Sequence, residues 1–166
     1  GRRDAEQGVL RACFPKTFED DPVRILRAFR FSAGLGFQLD PAMLPLIAAA
    51  APRLTGVSGE RIRDELLALF QTDQAGPAVA SLDHVGVLGR LFPELLPGRG
   101  LNQGGYHHLD VLGHELETVV QCDRMLKDFA EFSEELRAPM AAYCAVELVE
   151  GRSRKALIKL SGLLHD

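Results

Sequence analysis

Cysteine is scarce in this sequence of 166 residues, which contains only Cys13, Cys122 and Cys144. The three cysteines are odd in number, lie far apart and lack the C-x-x-C spacing, which argues against a zinc or redox site of that type. We expect them to be buried thiols of a protein in a reducing cytosol.

Long apolar runs are also missing. The longest one, at residues 44–51, contains Pro45 and is far shorter than the ~20 residues that a membrane-spanning helix needs. Arg2 and Arg3 precede acidic residues instead of an apolar run, so no signal peptide is predicted. We therefore expect a soluble, cytoplasmic protein without a membrane partner.

A large net charge is absent, because 19 Lys and Arg against 23 Asp and Glu leave a formal charge of −4. This balance argues against a globally basic binder of nucleic acid, although it allows local basic patches. The apolar share of 46% and the charged share of 25% are typical of a globular protein. The length fits one domain or two small ones.

Helix start and stop signals recur after residue 20 and predict an all-α fold, a multi-helix array. Asp20 and Asp21 before Pro22 predict a helix start, and Gly34 and Gly36 predict its end. The helices predicted from such signals cover about residues 21–34, 41–51, 58–70, 75–84 and 87–91, then 110 to beyond 125, 134–150 and 153–166.

Two stretches depart from the helical pattern. Residues 5–18 have no helical period, and their apolar side chains could belong to a strand or a crossing segment. Residues 97–105 contain four glycines and are the most loop-like part of the chain. We place the main boundary there, between a region at 19–100 and one at 101–166.

The first predicted helix carries one polar stripe. Asp21, Arg24, Arg27 and Arg30 follow one another at steps of three residues, so their side chains can share a face. A carboxylate only accepts hydrogen bonds and a guanidinium only donates them. Cytosine and adenine present an amine beside an acceptor nitrogen, whereas uracil and guanine present a carbonyl beside a ring N–H. An adjacent Asp and Arg could therefore select C and A, and two mismatched groups at ~1–3 kcal/mol each would discriminate by a factor on the order of a hundred or more.

A simpler interpretation of the stripe stays open. Asp21 also stands where an N-cap residue belongs, and Arg24 is a plausible ion-pair partner on a solvated helix face.

Motifs in the first hundred residues resemble a known enzyme family. Residues 18–31, continuing to the Gly-Leu-Gly-Phe at 34–37, closely resemble the nucleotide-selecting motif of bacterial-type (class II) tRNA nucleotidyltransferases and poly(A) polymerases. Residues 57–66 and 89–95 resemble later segments of that family. The resemblance implies that Asp21, Arg24 and Arg27 bind the incoming ATP or CTP, with RNA, above all the tRNA 3′ end, as the other partner. It also implies supporting roles for Arg30, Arg61 and Glu65, of which Arg61 and Glu65 are alternatively a simple ion pair on one helix.

The family's catalytic carboxylates are not found in the sequence. Such enzymes transfer the nucleotide with two metal ions, Mg²⁺, on paired strand carboxylates in a preceding head domain. This chain has no Gly-Ser followed by Asp-x-Asp. We therefore expect a fragment without catalytic residues, inactive alone, in which residues 1–18 end the head and residues 19–100 form the neck and RNA-binding region.

A second resemblance concerns the C-terminal third. Residues 106–114 and 161–166 are similar to the two opening motifs of the HD phosphohydrolases, which would make residues 101–166 a truncated helical domain of that type. The resemblance implies that His114, His165 and Asp166 are ligands of an incomplete divalent metal site, whereas His107 and His108 fit solvent-facing loop positions better. The alternatives to a nucleotidyltransferase are therefore a metal-dependent HD phosphohydrolase and a non-catalytic helical interaction module.

Overall fold

The computed structural model describes residues 1–101, 109–149 and 151–165. Its helices are α1 (Arg2–Glu6), α2 (Thr17–Asp20), α3 (Arg24–Leu35), α4 (Met43–Ala50), α5 (Gly59–Phe70), α6 (Ala75–His84), α7 (Leu88–Leu91), α8 (Val111–Asp128), α9 (Glu134–Ala145) and α10 (Arg154–Leu163). Two 3₁₀ helices cover Ala51–Gly56 and Pro93–Gly98. The short strands are β1 (Val9–Leu10), β2 (Gln38–Leu39), β3 (Glu147–Val149) and β4 (Arg152–Ser153). The all-α prediction is confirmed.

Residues 5–18, interpreted as a strand or a crossing segment, contain the two-residue strand β1 between the end of α1 and the start of α2. β1 and β2 pair in parallel, with Val9 beside Gln38 and Leu10 beside Leu39. The left-handed Gly36 (φ 67°) ends α3 and lets the chain turn into β2. This pairing places β1 beside the segment that follows α3.

One apolar core joins elements from both sides of the glycine-rich segment. It contains Ile25, Leu26 and Phe29 of α3, and it extends to Leu112 and Val119 of α8. α8 lies close to α6, since a Cβ on Gly76 would come within 2.7 Å of the Val120 Cα. Residues on both sides of the boundary predicted at 97–105 share one core. The division of the chain into two domains at that boundary stays a prediction.

A buried ion pair connects α10 to this core. Lys159 is fully buried, and its Nζ lies 2.6 Å from Asp123 Oδ1 of α8 and donates to the Thr72 carbonyl at 2.5 Å. The other Asp123 oxygen accepts from the Gly76 N–H at 2.7 Å. Desolvation lowers the pKa of Lys159, and the hydrogen bond to Asp123 opposes that shift. One pair of charges thus ties α10, α8 and the start of α6 together.

Three predictions about the chain need correction. The helix predicted at 134–150 ends at Ala145, because the chain then enters the β3–β4 hairpin, with Gly151 left-handed (φ 69°) between the strands. Ser58 does precede α5, but its side chain makes no capping hydrogen bond. Cys13 is exposed, whereas Cys122 and Cys144 are buried as predicted, and all three are free thiols.

Asp110 caps the long helix α8 as its position predicted. Its carboxylate accepts from the Gly113 and Gly100 N–H groups at 2.7 and 2.6 Å. These bonds lower the pKa of the Asp110 carboxyl, with the Gly100 bond as the largest cause. No helix among the described residues combines the length and apolarity that crossing a membrane requires.

Candidate nucleotide-binding site

Asp21 stands at the entrance of α3, not inside the helix. Its backbone is extended (φ −149°, ψ 94°), as expected for a residue before proline. α3 therefore begins at Arg24, and the predicted start at residue 21 is wrong. The alternative role of Asp21 as a side-chain N-cap is not observed either, because the cap position is Val23 and no side chain caps the helix.

Asp21 and Arg24 nevertheless lie side by side. Arg24 Nε is 3.7 Å from Asp21 Oδ2, close enough for an ion pair and too far for a good hydrogen bond. Their side chains are 22% and 38% exposed. Arg24 also donates through Nη1 to the Thr17 carbonyl at 3.2 Å, which fixes the direction of its guanidinium.

Arg61 of α5 binds the same carboxylate. Its Nη2 donates to both Asp21 oxygens, at 3.0 Å to Oδ1 and 2.9 Å to Oδ2. A carboxylate has about four acceptor positions and a guanidinium five N–H donors. By this count Asp21 and Arg24, both partly exposed, keep acceptors and donors that the hydrogen bonds of the described residues do not use.

Glu65 of α5 forms ion pairs with Arg27 and Arg30, the other two residues of the polar stripe. Arg27 Nε donates to its Oε1 at 2.8 Å, Arg27 Nη2 lies 2.8 Å from the same oxygen, and Arg30 Nε lies 2.8 Å from its Oε2. Glu65 is only 11% exposed, so the pairing is partly shielded from water. Among the described residues no ion pair joins Arg61 to Glu65. Arg61 instead pairs with Asp21, and Glu65 pairs with the arginines of α3.

Arg24 and Arg27 line an open cleft of about 280 Å³ between residues 10–13 and α3. A larger cavity, of about 790 Å³, lies between α3 and α6, and it has no Asp, Glu, Lys or Arg in its lining. The arginines of the polar stripe therefore line the smaller cleft and not the larger cavity. Sequence reasoning missed Arg11, which also lines this cleft, and the Thr17 carbonyl, a backbone group without a sequence signal.

The predicted metal ligands are partly brought together. The rings of His114 and His165 have centroids 5.2 Å apart, and His165 Nδ1 is 2.9 Å from the Gly162 carbonyl oxygen. The third predicted ligand, Asp166, and the loop residues His107 and His108 lie outside the described residues. Within the described ranges, no group of three or more His, Cys, Asp or Glu side chains could hold a metal ion.

Comparison with known proteins places these observations in a family. Residues 36–98 match a family described as the probable RNA and SrmB-binding site of polymerase A. The chain is 38% identical over 126 residues to an A-adding tRNA nucleotidyltransferase of Deinococcus radiodurans, covering 73% of this chain and 29% of that protein. It is 36% identical to a CC-adding tRNA nucleotidyltransferase of Geobacter sulfurreducens, covering 99% of this chain and 35% of that protein.

The resemblance that the motifs predicted is thus supported: the chain is similar to a part of the class II tRNA nucleotidyltransferases. It spans about a third of the length of these curated relatives. Solved structures agree with this similarity at the level of fold. A tRNA-processing enzyme in an apo form superimposes with a TM-score of 0.68 at 19% identity, covering 100% of this chain and 37% of that one. A tRNA nucleotidyltransferase with a primer tRNA and an ATP analogue gives 0.61 at 23% identity, covering 99% and 40%.

Proposed function

We propose that this chain is the base-selecting and RNA-binding part of an enzyme that adds C or A to RNA 3′ ends without a nucleic-acid template. The observation that carries the proposal is the approach of Asp21 and Arg24, 3.7 Å apart and both partly exposed at the mouth of α3. The similarity to A-adding and CC-adding tRNA nucleotidyltransferases supports a tRNA 3′ end as the acceptor and ATP or CTP as the nucleotide.

The pair offers one acceptor group beside one donor group. The Asp21 carboxylate would accept from the exocyclic amine of cytosine or adenine, and the Arg24 guanidinium would donate to the neighbouring ring nitrogen. Uracil and guanine would set a carbonyl against the carboxylate and an N–H against the guanidinium. Such unpaired desolvated groups cost ~1–3 kcal/mol each, so the pair would reject UTP and GTP.

Contacts with neighbouring residues would keep the Asp21 carboxylate and the Arg24 guanidinium available to bind a base. An isolated Asp and Arg three residues apart would close on each other and satisfy their own charges. Here Arg61 holds Asp21 through two hydrogen bonds, and the Thr17 carbonyl holds Arg24. Both groups are therefore fixed in direction before a base arrives, which lowers the entropy lost on binding.

Nucleotide transfer itself is not assigned to this chain's residues. In the family it uses divalent metal ions, which we propose to be Mg²⁺, and no group of three or more His, Cys, Asp or Glu side chains in the described part of the chain could hold one. The proposal therefore gives these residues the selection of the base, with transfer in a longer enzyme that contains them.

A nuclear magnetic resonance titration of the chain tests the proposal. The Arg24 Nε–H resonance is expected to shift on addition of CTP or ATP at lower concentrations than with UTP or GTP. The Nε–H resonance of Arg63, which pairs with its exposed neighbour Asp64, provides the control and should not move. Equal shifts of the Arg24 resonance with all four nucleotides, or none with any, would contradict the proposed selection and favour a non-catalytic helical module.

Arg61 gives a further prediction. In the longer enzyme, Arg61→Met is expected to raise the KM for CTP several-fold with little change in kcat, because Asp21 would then close on Arg24. Arg61→Lys should restore part of the affinity. The stability change should stay within about 1 kcal/mol, since Arg61 is 51% exposed. Arg63→Met is the matched control on the same helix, and an equal rise in KM there would refute the positioning role.

A second proposal concerns a divalent metal at His114 and His165, whose rings lie 5.2 Å apart. Metal sites usually have three or four protein ligands, so we expect these two imidazoles to bind Zn²⁺ only weakly. Calorimetric titration of the chain with Zn²⁺ should show weak binding. His114→Ala should abolish this binding, and His84→Ala should leave it unchanged. Binding that survives His114→Ala would place the metal elsewhere. A phosphohydrolase role would require metal-dependent phosphate release that depends on His114.

A further inference from the structure

Hydrogen bonds join the β3–β4 hairpin, late in the chain, to helix α5. Arg152 of β4 donates through Nη2 to the Asp64 carbonyl at 3.2 Å. Ser153 donates to the side-chain oxygen of Gln71, the residue that follows α5, through its backbone N–H at 3.0 Å and its hydroxyl at 3.1 Å. These contacts join residues 88 and 82 positions apart in the chain. In each of them the hairpin supplies the donor, and α5 or its end supplies the acceptor.

Two lysines of α10 extend this contact to the turn after α5. Lys155 pairs with Asp73, and the buried Lys159 donates to the Thr72 carbonyl. Positive charge is favourable at the C-terminal end of a helix and unfavourable in the first turn. Lys155 lies in the first turn of α10, which contains no acidic residue. Its position therefore suits the end of α5 better than the helix to which it belongs.

Helix α5 also carries the side chains that hold the polar stripe. Arg61 binds Asp21, and Glu65 binds the two arginines of the stripe that follow Arg24. The Asp64 carbonyl, which Arg152 contacts, belongs to the planar peptide unit that leads into Glu65. Arg152 thus fixes the backbone directly before the residue that holds two arginines of the stripe.

A small displacement of α5 would weaken these bonds. Helices that change position at an interface commonly move by ~1–2 Å. A lengthening of ~1 Å would take the Arg61–Asp21 hydrogen bonds, now 2.9 and 3.0 Å, beyond the ~2.7–3.2 Å range of N–H···O bonds. Asp21 would then close on Arg24, whose Nε is 3.7 Å away. The position of α5 therefore decides whether the Asp21 carboxylate stays available.

We propose that Arg152 is a positioning residue for base selection, which holds α5 where Arg61 orients Asp21. The inference rests on the proposed function. Arg152 acts through the backbone of α5 and not by contact with the nucleotide, so the β3–β4 hairpin becomes part of the support of the selecting pair. Supporting hydrogen bonds of this kind preserve the geometry of a binding site because a displacement of ~0.5 Å already impairs it.

Nuclear magnetic resonance of the chain without nucleotide tests the structural step. Arg27 Nε–H donates to Glu65 Oε1 at 2.8 Å, so its proton resonance reports the position of the Glu65 carboxylate. Arg152→Met is expected to move this resonance upfield, because a longer hydrogen bond deshields the proton less. Arg152→Lys can still donate to the Asp64 carbonyl and should move the resonance less.

Arg154 supplies the matched control. Its guanidinium carbon lies 4.3 Å from the centre of the Tyr143 ring of α9, and within the described ranges its side chain makes no hydrogen bond to α5. Arg154→Met should therefore leave the Arg27 resonance in place. In the longer enzyme, Arg152→Met is expected to raise the KM for CTP several-fold with little change in kcat, and Arg154→Met should change neither.

A double variant separates positioning from a general loss of stability. If Arg152 acts through Arg61, adding Arg152→Met to Arg61→Met raises the KM no further. Multiplied effects on the KM, an unmoved Arg27 resonance in Arg152→Met, or an equal movement in Arg154→Met overturns the proposal. Failure of the proposed function would look different. The four nucleotides would then shift the Arg24 resonance of the unmodified chain equally, while Arg152→Met would still move the Arg27 resonance.

Discussion

Lys159→Met is expected to lower the free energy of unfolding by about 3–5 kcal/mol, the usual cost of removing one partner from a buried ion pair. Lys159 is fully buried, and Asp123 is 6% exposed. Without the ammonium group, the Gly76 N–H would be the one remaining partner of the Asp123 carboxylate among the described residues, and the Thr72 carbonyl would lose the Lys159 donor. Urea denaturation followed by circular dichroism measures the loss.

Two further variants separate the charge effect from packing. Lys159→Met combined with Asp123→Asn removes both charges, and the asparagine oxygen can still accept from Gly76. This double variant should therefore be more stable than Lys159→Met alone. Lys155→Met breaks a pair with the exposed Asp73 and should cost about 0–1 kcal/mol. A double variant no more stable than Lys159→Met would show that packing, and not the uncompensated carboxylate, dominates.

Asp21→Ala in the longer enzyme is expected to reduce the preference for CTP over UTP, measured as the ratio of kcat/KM values, by about 100-fold. The carboxylate is the only acceptor of the proposed selecting pair, so its loss removes both the bond to the amine of cytosine and the repulsion of the carbonyl of uracil. Arg24→Ala should act in the same direction, since it removes the donor that faces the ring nitrogen.

Arg63→Ala is the control for both substitutions, because Arg63 lies on the neighbouring helix α5 and pairs only with Asp64 among the described residues. Its preference for CTP over UTP should equal that of the unmodified enzyme. Unchanged discrimination in Asp21→Ala would reject the selecting role, whatever the change in overall rate.

Local sequence signals predicted most helices because their causes are local. Asp110 caps α8, and α6 covers the expected residues 75–84. The errors have local causes too. Pro22 restricts Asp21 to an extended backbone, which delays α3 until Arg24. The segment after Ala145 pairs as strands around the left-handed Gly151, and its helical periodicity did not reveal this.

The candidate site was predictable only in part. The closeness of Asp21 and Arg24 was predicted for two residues on one helix, whereas Asp21 lies in extended backbone before α3 and still approaches Arg24. The contact of Arg61 with Asp21 joins residues 40 positions apart, and that of Glu65 with Arg27 joins residues 38 apart. Such contacts depend on how α5 packs against α3, which neither charge nor periodicity specifies. The closeness of His114 and His165 likewise depends on the packing of α10 against α8.

The central claim is that Asp21 and Arg24 together read the edge of an incoming base, and a crystal structure of the longer enzyme with bound CTP tests it most directly. We predict that an Asp21 oxygen accepts from the cytosine amine and that the Arg24 guanidinium donates to the adjacent ring nitrogen, each at about 2.7–3.2 Å. Cytosine bound away from both side chains, with Asp21 still held only by Arg61 and Arg24, would contradict the account.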